Sequence, residues 1–439
     1  MILPAAYPKV THYRVWQLAW PMILANMAVP MATIVDSAIA GHISLSAIGA
    51  IAIASIIFSF ISSSCSFLRM GITGLAAQLD DHHGQQAGHI LSSHFMLAFA
   101  IALTLLLLQS PISHYAFSLF STSSTVMELA QDYFRIRLYS IPAVLCQMVI
   151  LGWLIGLGKS HLVFYLVVMT SSINIALSFI TVFLFDYGIT GIAIATVIAD
   201  YCGLAIGLII IHRTIFSLSH LKHHWCYWPQ QQLFHLHSPL FIRTLCLLLV
   251  FAFFTQQSAQ QSDIVLAANT LLLHFITFSS FFLDGFANAA EVITGQAMRH
   301  RSRAEFKRGI YYILTWAVAT AVILAVVYGL FASTLLTLMT SSYITRYLAE
   351  HYLIWIIMAP LISVLSYSFD GVYIGATQAK AMCNTVLLAT IAVYLPTWYY
   401  LQPFYNHGLW AALSAFLLAR GLLLLADLPR LAHHIQTHR

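Results

Sequence analysis

Five carboxylates stand inside long apolar runs of this chain: Asp36, Asp200, Asp284, Glu291 and Asp370. A charged side chain at the centre of a bilayer costs from about 3 to well over 10 kcal/mol, so a carboxylate in such a run marks a functional site by default. Asp36 is the most isolated, because the segment from Ile23 to Ile39 holds no other ionisable residue. A lone carboxyl facing lipid is untenable, which turns Asp36 toward a partner helix or a cavity. Loss of water favours the neutral form of a carboxyl, and a group so placed can load and release a proton near neutral pH. The competing reading is a carboxyl permanently hydrogen-bonded to a neighbouring helix. Asn174 and Ser178, one helical turn apart, are candidate partners on either reading. Asp284 and Asp370 each precede a glycine, in Leu283-Asp284-Gly285 and Phe369-Asp370-Gly371, which can equally mark loosened helix. Asp80, Asp81, Asp186, Asp263, Glu305, Glu350 and Asp427 fall at or beyond helix ends and read as ordinary solvated charges.

The composition requires membrane spans to hold these groups. Of 439 residues, 60% are hydrophobic and 8% charged, against about 25% charged in soluble domains. Apolar runs of about 20 residues, the length that crosses a hydrocarbon core of about 30 Å, recur along the whole chain. The expected fold is therefore an all-α integral membrane protein. With Gly, Pro and polar clusters as punctuation, the spacing predicts helices near 15–38, 45–68, 90–110, 132–156, 161–184, 189–212, 239–258, 264–290, 308–332, 350–374, 382–401 and 408–428. The first run follows Lys9 and Arg14 but is long, contains Pro21 and Pro30 and lacks a small-residue cleavage site, so it reads as a retained helix rather than a signal peptide. Asp36 then falls towards the outer end of helix 1, Asp200 near the middle of helix 6, Asp284 and Glu291 on helix 8, and Asp370 towards the outer part of helix 10. Arg420, near the end of helix 12, is expected to snorkel to the interface. Pro21 removes a helix hydrogen bond about four turns before Asp36, so helix 1 reads as a bendable element carrying a titratable group. Intramembrane prolines are also common without hinging.

Twelve spans place both termini on one side. Of the 19 Lys and Arg residues, all but Arg135, Arg137 and Arg346 fall on that side, as expected if it is cytoplasmic. The formal net charge of +5 is thus an orientation signal, and no basic stripe with interleaved aromatics suggests a nucleic-acid partner. Cys65, Cys146, Cys202, Cys226, Cys246 and Cys383 are scattered without CxxC spacing, which indicates neither a disulfide framework nor a metal cluster. The histidines of the hydrophilic stretch 213–238 (His220, His223, His224, His235 and His237) have counterparts in other loops (His82, His83, His433, His434 and His438). They read as loop composition rather than as a metal site.

The halves repeat. At an offset of 218 residues Pro21 meets Pro239, Gln78 meets Gln296 and Pro142 meets Pro360; one residue further, Gly152 and Gly156 meet Gly371 and Gly375, each pair followed by a lysine, Lys159 and Lys380. Because the repeat spans six helices, the halves share one topology and are related by an axis along the membrane normal, a parallel repeat of the kind transporters use. The expected organisation is an N-terminal lobe over 1–212, a cytoplasmic linker over 213–238 and a C-terminal lobe over 239–439. The paired glycines read chiefly as close-packing positions between helices.

Trp20-Pro21-Met22-Ile23, Asp36 with Gly41-His42, Leu68-Arg69-Met70 running to Gly74 and Gln78, Leu283-Asp284-Gly285-Phe286 through Gly295-Gln296-Ala297, and Asp370-Gly371 to Gly375-Ala376-Thr377 occur in that order. Together they resemble the DinF-like branch of the multidrug and toxic compound extrusion (MATE) family, over nearly the whole chain. The resemblance implies a V-shaped pair of six-helix lobes around a central cavity, alternating access, and export of lipophilic, often cationic compounds against inward cation flux, usually H⁺ in this branch. It maps the helix 1 aspartate of the family onto Asp36, the proline at which that helix bends onto Pro21, and the helix 5 Asn-x-x-x-Asp pair onto Asn174 and Ser178. Serine in place of the second carboxylate weakens a Na⁺ site, which needs several hard oxygen ligands, and favours H⁺; Asp200 is a candidate for the missing charge.

The expected function is accordingly a proton-coupled drug antiporter of a bacterial inner membrane, working as a monomer without a cofactor. Its partners are small lipophilic or cationic drugs and the bilayer. A lipid-linked saccharide flippase of the same superfamily is the alternative, disfavoured by intramembrane charges that read as overwhelmingly acidic. A polytopic membrane enzyme would need a His-Asp constellation at one interface, whereas the histidines lie in separated loops.

Overall fold

The computed structural model describes residues 9–79, 84–120, 122–214 and 230–437. Asp80, Asp81, His82, His83, His220, Lys222, His223, His224, Cys226, His438 and Arg439 lie outside them. All regular structure among the described residues is helical, because in lipid a helix satisfies its own backbone. The α-helices are α1 (His12–Ile43), α2 (Leu45–Ser64), α3 (Phe67–Ala77), α4 (Gly84–Leu107), α5 (Gln109–Ser118), α6 (Ser124–Leu138), α7 (Ile141–Gly156), α8 (Ser160–Phe179), α9 (Gly188–Thr214), α10 (Gln230–Gln261), α11 (Asp263–Arg299), α12 (Arg303–Met339), α13 (Tyr343–His351), α14 (Leu353–Gly375), α15 (Ala379–Leu388), α16 (Leu395–Tyr400) and α17 (Tyr405–Thr437). Among the described residues, eleven helical segments are long and apolar enough to cross a membrane, and the bent pair α6–α7, counted as one span, makes a twelfth.

That bent pair departs from the sequence expectation of one helix over 132–156. The span begins earlier, at Ser124, and turns by 52° between α6 and α7. Pro142, in the first turn of α7, has no N–H to donate to Leu138 O, and the chain closes the gap with tighter bonds from Tyr139 N to Ile136 O and from Ser140 N to Arg137 O, both 3.1 Å. Arg137 is thereby delivered to the interior by the last turn of α6.

Contacts divide the chain into two compact units, one made of Leu24–Phe234 and the other of the N-terminal stretch ending at Ile23 together with His235–Arg439. The first part of α1 thus packs with the second-half helices, a pairing that a division at the linker does not contain. Gly285, for example, faces Ile23 and the carbonyl of Ala19.

The duplication is visible atom by atom. Ser44 Oγ accepts from Ala47 N at 3.0 Å and Ser262 Oγ from Val265 N at 3.1 Å, equivalent N-caps 218 positions apart. A Cβ on Gly152 would meet the carbonyl of Arg69 and one on Gly156 that of Thr73; Gly371 and Gly375 stand in the same way against Ala287 and Glu291. Each helix pair therefore packs backbone to backbone, which only glycine permits. At the following turn Gly158 has φ 71° and Thr377 φ 56°. A threonine thus accepts in the second half the left-handed conformation that glycine supplies in the first. A π-helical stretch interrupts the fifth span of each half, at Ile180–Leu184 and Ala389–Tyr394.

Candidate functional site

Within Leu24–Phe234, six helices line a cavity of about 380 Å³. α1 supplies Asp36, α6 Tyr133 and Arg137, α8 Asn174, and α9 Thr196 and Asp200, while α2 and α7 contribute Phe58 and Gln147. Asp36 is 8% exposed. Its Oδ1 accepts a hydrogen bond from Ser178 Oγ at 2.8 Å. Ser178 lies two residues before the π-helical stretch of Ile180–Leu184, an irregularity often found at functional positions. One turn earlier on α8, Asn174 donates from Nδ2 to Thr196 Oγ1 at 2.9 Å, and its Oδ1 is buried without a hydrogen-bond partner. The α1–α8 pairing read from the sequence is thus formed, and Asp36 meets a neutral hydroxyl rather than a cation.

Asp200 is not placed to serve as that second carboxylate freely. Its Oδ2 accepts from Arg137 Nη1 at 2.5 Å, and Gln147 donates to its main-chain oxygen. Arg137, expected from the sequence among the basic residues on the side away from the termini, instead lines this cavity. Pro142, five residues on, was the available signal, because a proline that opens a new helix puts the preceding helix inside the span.

The second unit holds a different cluster. Arg243 from α10 and Arg420 from α17 both donate to Asp370 Oδ2 on α14, the latter at 2.6 Å. Asp284 on α11 and Tyr367 on α14 lie within electrostatic range of the cluster. Arg243 and Arg420 are 3% and 5% exposed, so neither belongs to a membrane interface. The expectation that Arg420 snorkels fails because a buried carboxylate lies within its reach, and ion pairing in the core outweighs the stretch to headgroups. Asp370 stands near the C-terminal end of α14 (Leu353–Gly375), which in a chain of twelve spans is the end on the side of both termini and not the outer part. An even-numbered span runs back toward the termini. Glu291 is buried further along α11, where its backbone abuts Gly375. Pro21 lies inside the unbroken α1.

These placements change the charge inventory. Arg137, Arg243 and Arg420 are ion-paired cations within candidate spans, so the charges there are mixed and not overwhelmingly acidic. The first unit's cavity sets one guanidinium against Asp36 and Asp200, whereas the second unit sets two against Asp370 and Asp284. Among the described residues no group of three or more His, Cys, Asp or Glu side chains is arranged to hold a metal ion.

A family model described as MatE matches residues 21–180 and again 239–399, once per repeat. DNA damage-inducible protein F of Escherichia coli (strain K12) is 34% identical over 423 residues, covering 94% of this chain and 90% of that protein. A probable multidrug resistance protein NorM of Bacillus anthracis is 20% identical over 404 residues, covering 90% and 88%. Among solved structures, the MATE transporter VcmN of Vibrio cholerae in its bent form matches with a TM-score of 0.81 at 20% identity, over 97% of each chain.

Proposed function

The chain belongs to the MatE family of multidrug and toxic compound transporters, and from that premise we propose that it exports lipophilic cations in exchange for protons, with Asp36 as the exchange group. The observation that carries this reading is the setting of Asp36: a buried carboxyl on a cavity wall, held by a hydroxyl, with the nearby guanidinium already bound to Asp200. Ionised, Asp36 offers the cavity one unanswered negative charge, which a cationic substrate neutralises. Protonated, it offers none, and the substrate loses its counter-charge. Ser178 puts a neutral hydroxyl, not a second carboxylate, against Asp36, and the smaller negative charge offered to a bound cation supports H⁺ over Na⁺. α1 passes from one compact unit to the other just after Pro21, which supports that proline as the bending point during reorientation. The basic residues outside the buried pairs support cytoplasmic termini and a bacterial inner membrane.

The test is transport of a fluorescent lipophilic cation in proteoliposomes, driven by a pH gradient and, separately, by a Na⁺ gradient. Asp36→Asn is expected to abolish pH-driven transport. Wild-type rates in that variant would exclude Asp36 as the exchange group, and a response to Na⁺ alone would overturn the ion assignment. The buried arginines lend a flippase of anionic lipid-linked saccharides its one supporting observation. Their shared engagement with Asp370 counts against it, because an anionic headgroup would have to displace that carboxylate.

A further inference from the structure

Arg137 and Asp200 take no part in the exchange just described, yet both line the cavity that Asp36 faces. The guanidinium is fixed from several directions. It donates to Asp200 Oδ2 at 2.5 Å and to Ser140 Oγ, and its Cζ lies 4.1 Å from the centroid of the Phe58 ring. The two side chains keep 15% and 14% exposure, so the pair stands on the cavity wall and not behind it. Asp36 on α1, Arg137 on α6 and Asp200 on α9 are the charged residues of that lining; Tyr133 on α6 is the remaining titratable one, and the lining residues of α2, α7 and α8 are neutral. A phenol carries no charge near neutral pH. The cavity therefore holds two carboxylates and one guanidinium. Its net charge is −1 with Asp36 ionised and zero with Asp36 protonated.

We propose that Arg137 is a specificity-determining residue that fixes the charge capacity of this cavity at one. By answering Asp200 it leaves a single site for positive charge, so the substrates are monocations and dications are rejected. The inference rests on Asp36 as the exchange group. A second positive charge on the substrate would enter a low-dielectric cavity with no partner, and an unpaired buried charge is strongly disfavoured. Replacing Arg137 by a neutral residue frees Asp200 and raises the capacity to two. Neutralising Asp200 instead frees Arg137 to answer Asp36, and the capacity falls to zero.

The experiment uses the full chain in proteoliposomes under an imposed pH gradient, with tetraphenylphosphonium as the monocation and dequalinium as the dication. The readout is the ratio of their initial transport rates. In Arg137→Gln the dication-to-monocation ratio is expected to rise about tenfold or more, one unpaired charge being worth well over the 1.4 kcal/mol of a tenfold change. In Asp200→Asn monocation transport falls by a similar factor, and the double variant Arg137→Gln/Asp200→Asn returns the ratio to that of the wild type. A merely structural ion pair would alter expression of the protein but not the ratio. An unchanged ratio in folded Arg137→Gln, wild-type monocation transport in Asp200→Asn, or a shifted ratio in the double variant overturns the assignment. Should Arg137→Gln fail to fold, the other two variants decide it. Asp36→Asn run alongside separates the two ideas: if it transports normally the exchange reading falls, whereas an inactive Asp36→Asn with an unmoved ratio in Arg137→Gln sinks only the role of Arg137.

Discussion

Neutralising Asp36 and neutralising Asp370 should have opposite signatures. Asp370→Asn removes the negative charge shared by Arg243 and Arg420, both nearly excluded from solvent, and leaves Asp284 as the remaining carboxylate near the cluster. Breaking a buried ion pair by deleting one partner costs about 3–5 kcal/mol, because an uncompensated charge stays behind. With two arginines losing the charge they share, the loss should fall within that range. Asp36→Asn keeps an oxygen for the Ser178 hydroxyl and strands no cation. Its cost should stay within about 1 kcal/mol, the worth of an ordinary hydrogen bond. The assay is thermal unfolding of detergent-purified protein, followed by tryptophan fluorescence, beside pH-driven transport of the same preparations. The expected result is a strongly lowered unfolding temperature for Asp370→Asn and a near-native one for Asp36→Asn, which nonetheless does not transport. An Asp370→Asn variant of wild-type stability would refute the account of the second-unit cluster as a closed ion-pair network, and a destabilised Asp36→Asn would make that carboxyl structural.

Exchange of one proton for one monocation moves no net charge, so a gradient of one pH unit should sustain about a tenfold concentration ratio, equivalent to about 1.4 kcal/mol, and an imposed membrane potential should leave it unchanged. A potential-dependent ratio would require a different stoichiometry. Gly371→Val and Gly375→Val set side chains against the backbone of Ala287 and Glu291 and should destabilise by about 1–3 kcal/mol as overpacking, whereas Gly329→Ala, with open space around it, should fold like the wild type; equal yields of all three folded proteins would contradict the packing argument. Asn269→Leu leaves Ser258, Asn406 and Trp410 Nε1 without their partner and should cost about 3 kcal/mol or more, since each stranded buried group costs about 1–3. The same fluorescence melt measures it.

The amino-acid sequence by itself determined the membrane fold, the helix count and the duplication. Apolar runs of spanning length are a local property, and the order of Pro21, Pro142, Gly152 and Gly156 against Pro239, Pro360, Gly371 and Gly375 survives in one dimension because repeats preserve spacing. Asp36 was legible for the same reason, as a lone carboxyl in a run where nothing nearby solvates it, and its link to Ser178 followed from the few polar residues available. The partners of the other acids were not legible. Arg137 lies 63 positions from Asp200, Arg243 lies 127 from Asp370, and Arg420 lies 50 from it. No local pattern distinguishes an arginine that points to headgroups from one that turns inward, because both sit near an apolar segment. Packing makes that choice: a bent α6–α7 span brings Arg137 to the cavity, and α10, α14 and α17 converge on one carboxylate. Which carboxylates are bound by a guanidinium is therefore a property of the tertiary structure, decided by how the helices that carry them converge.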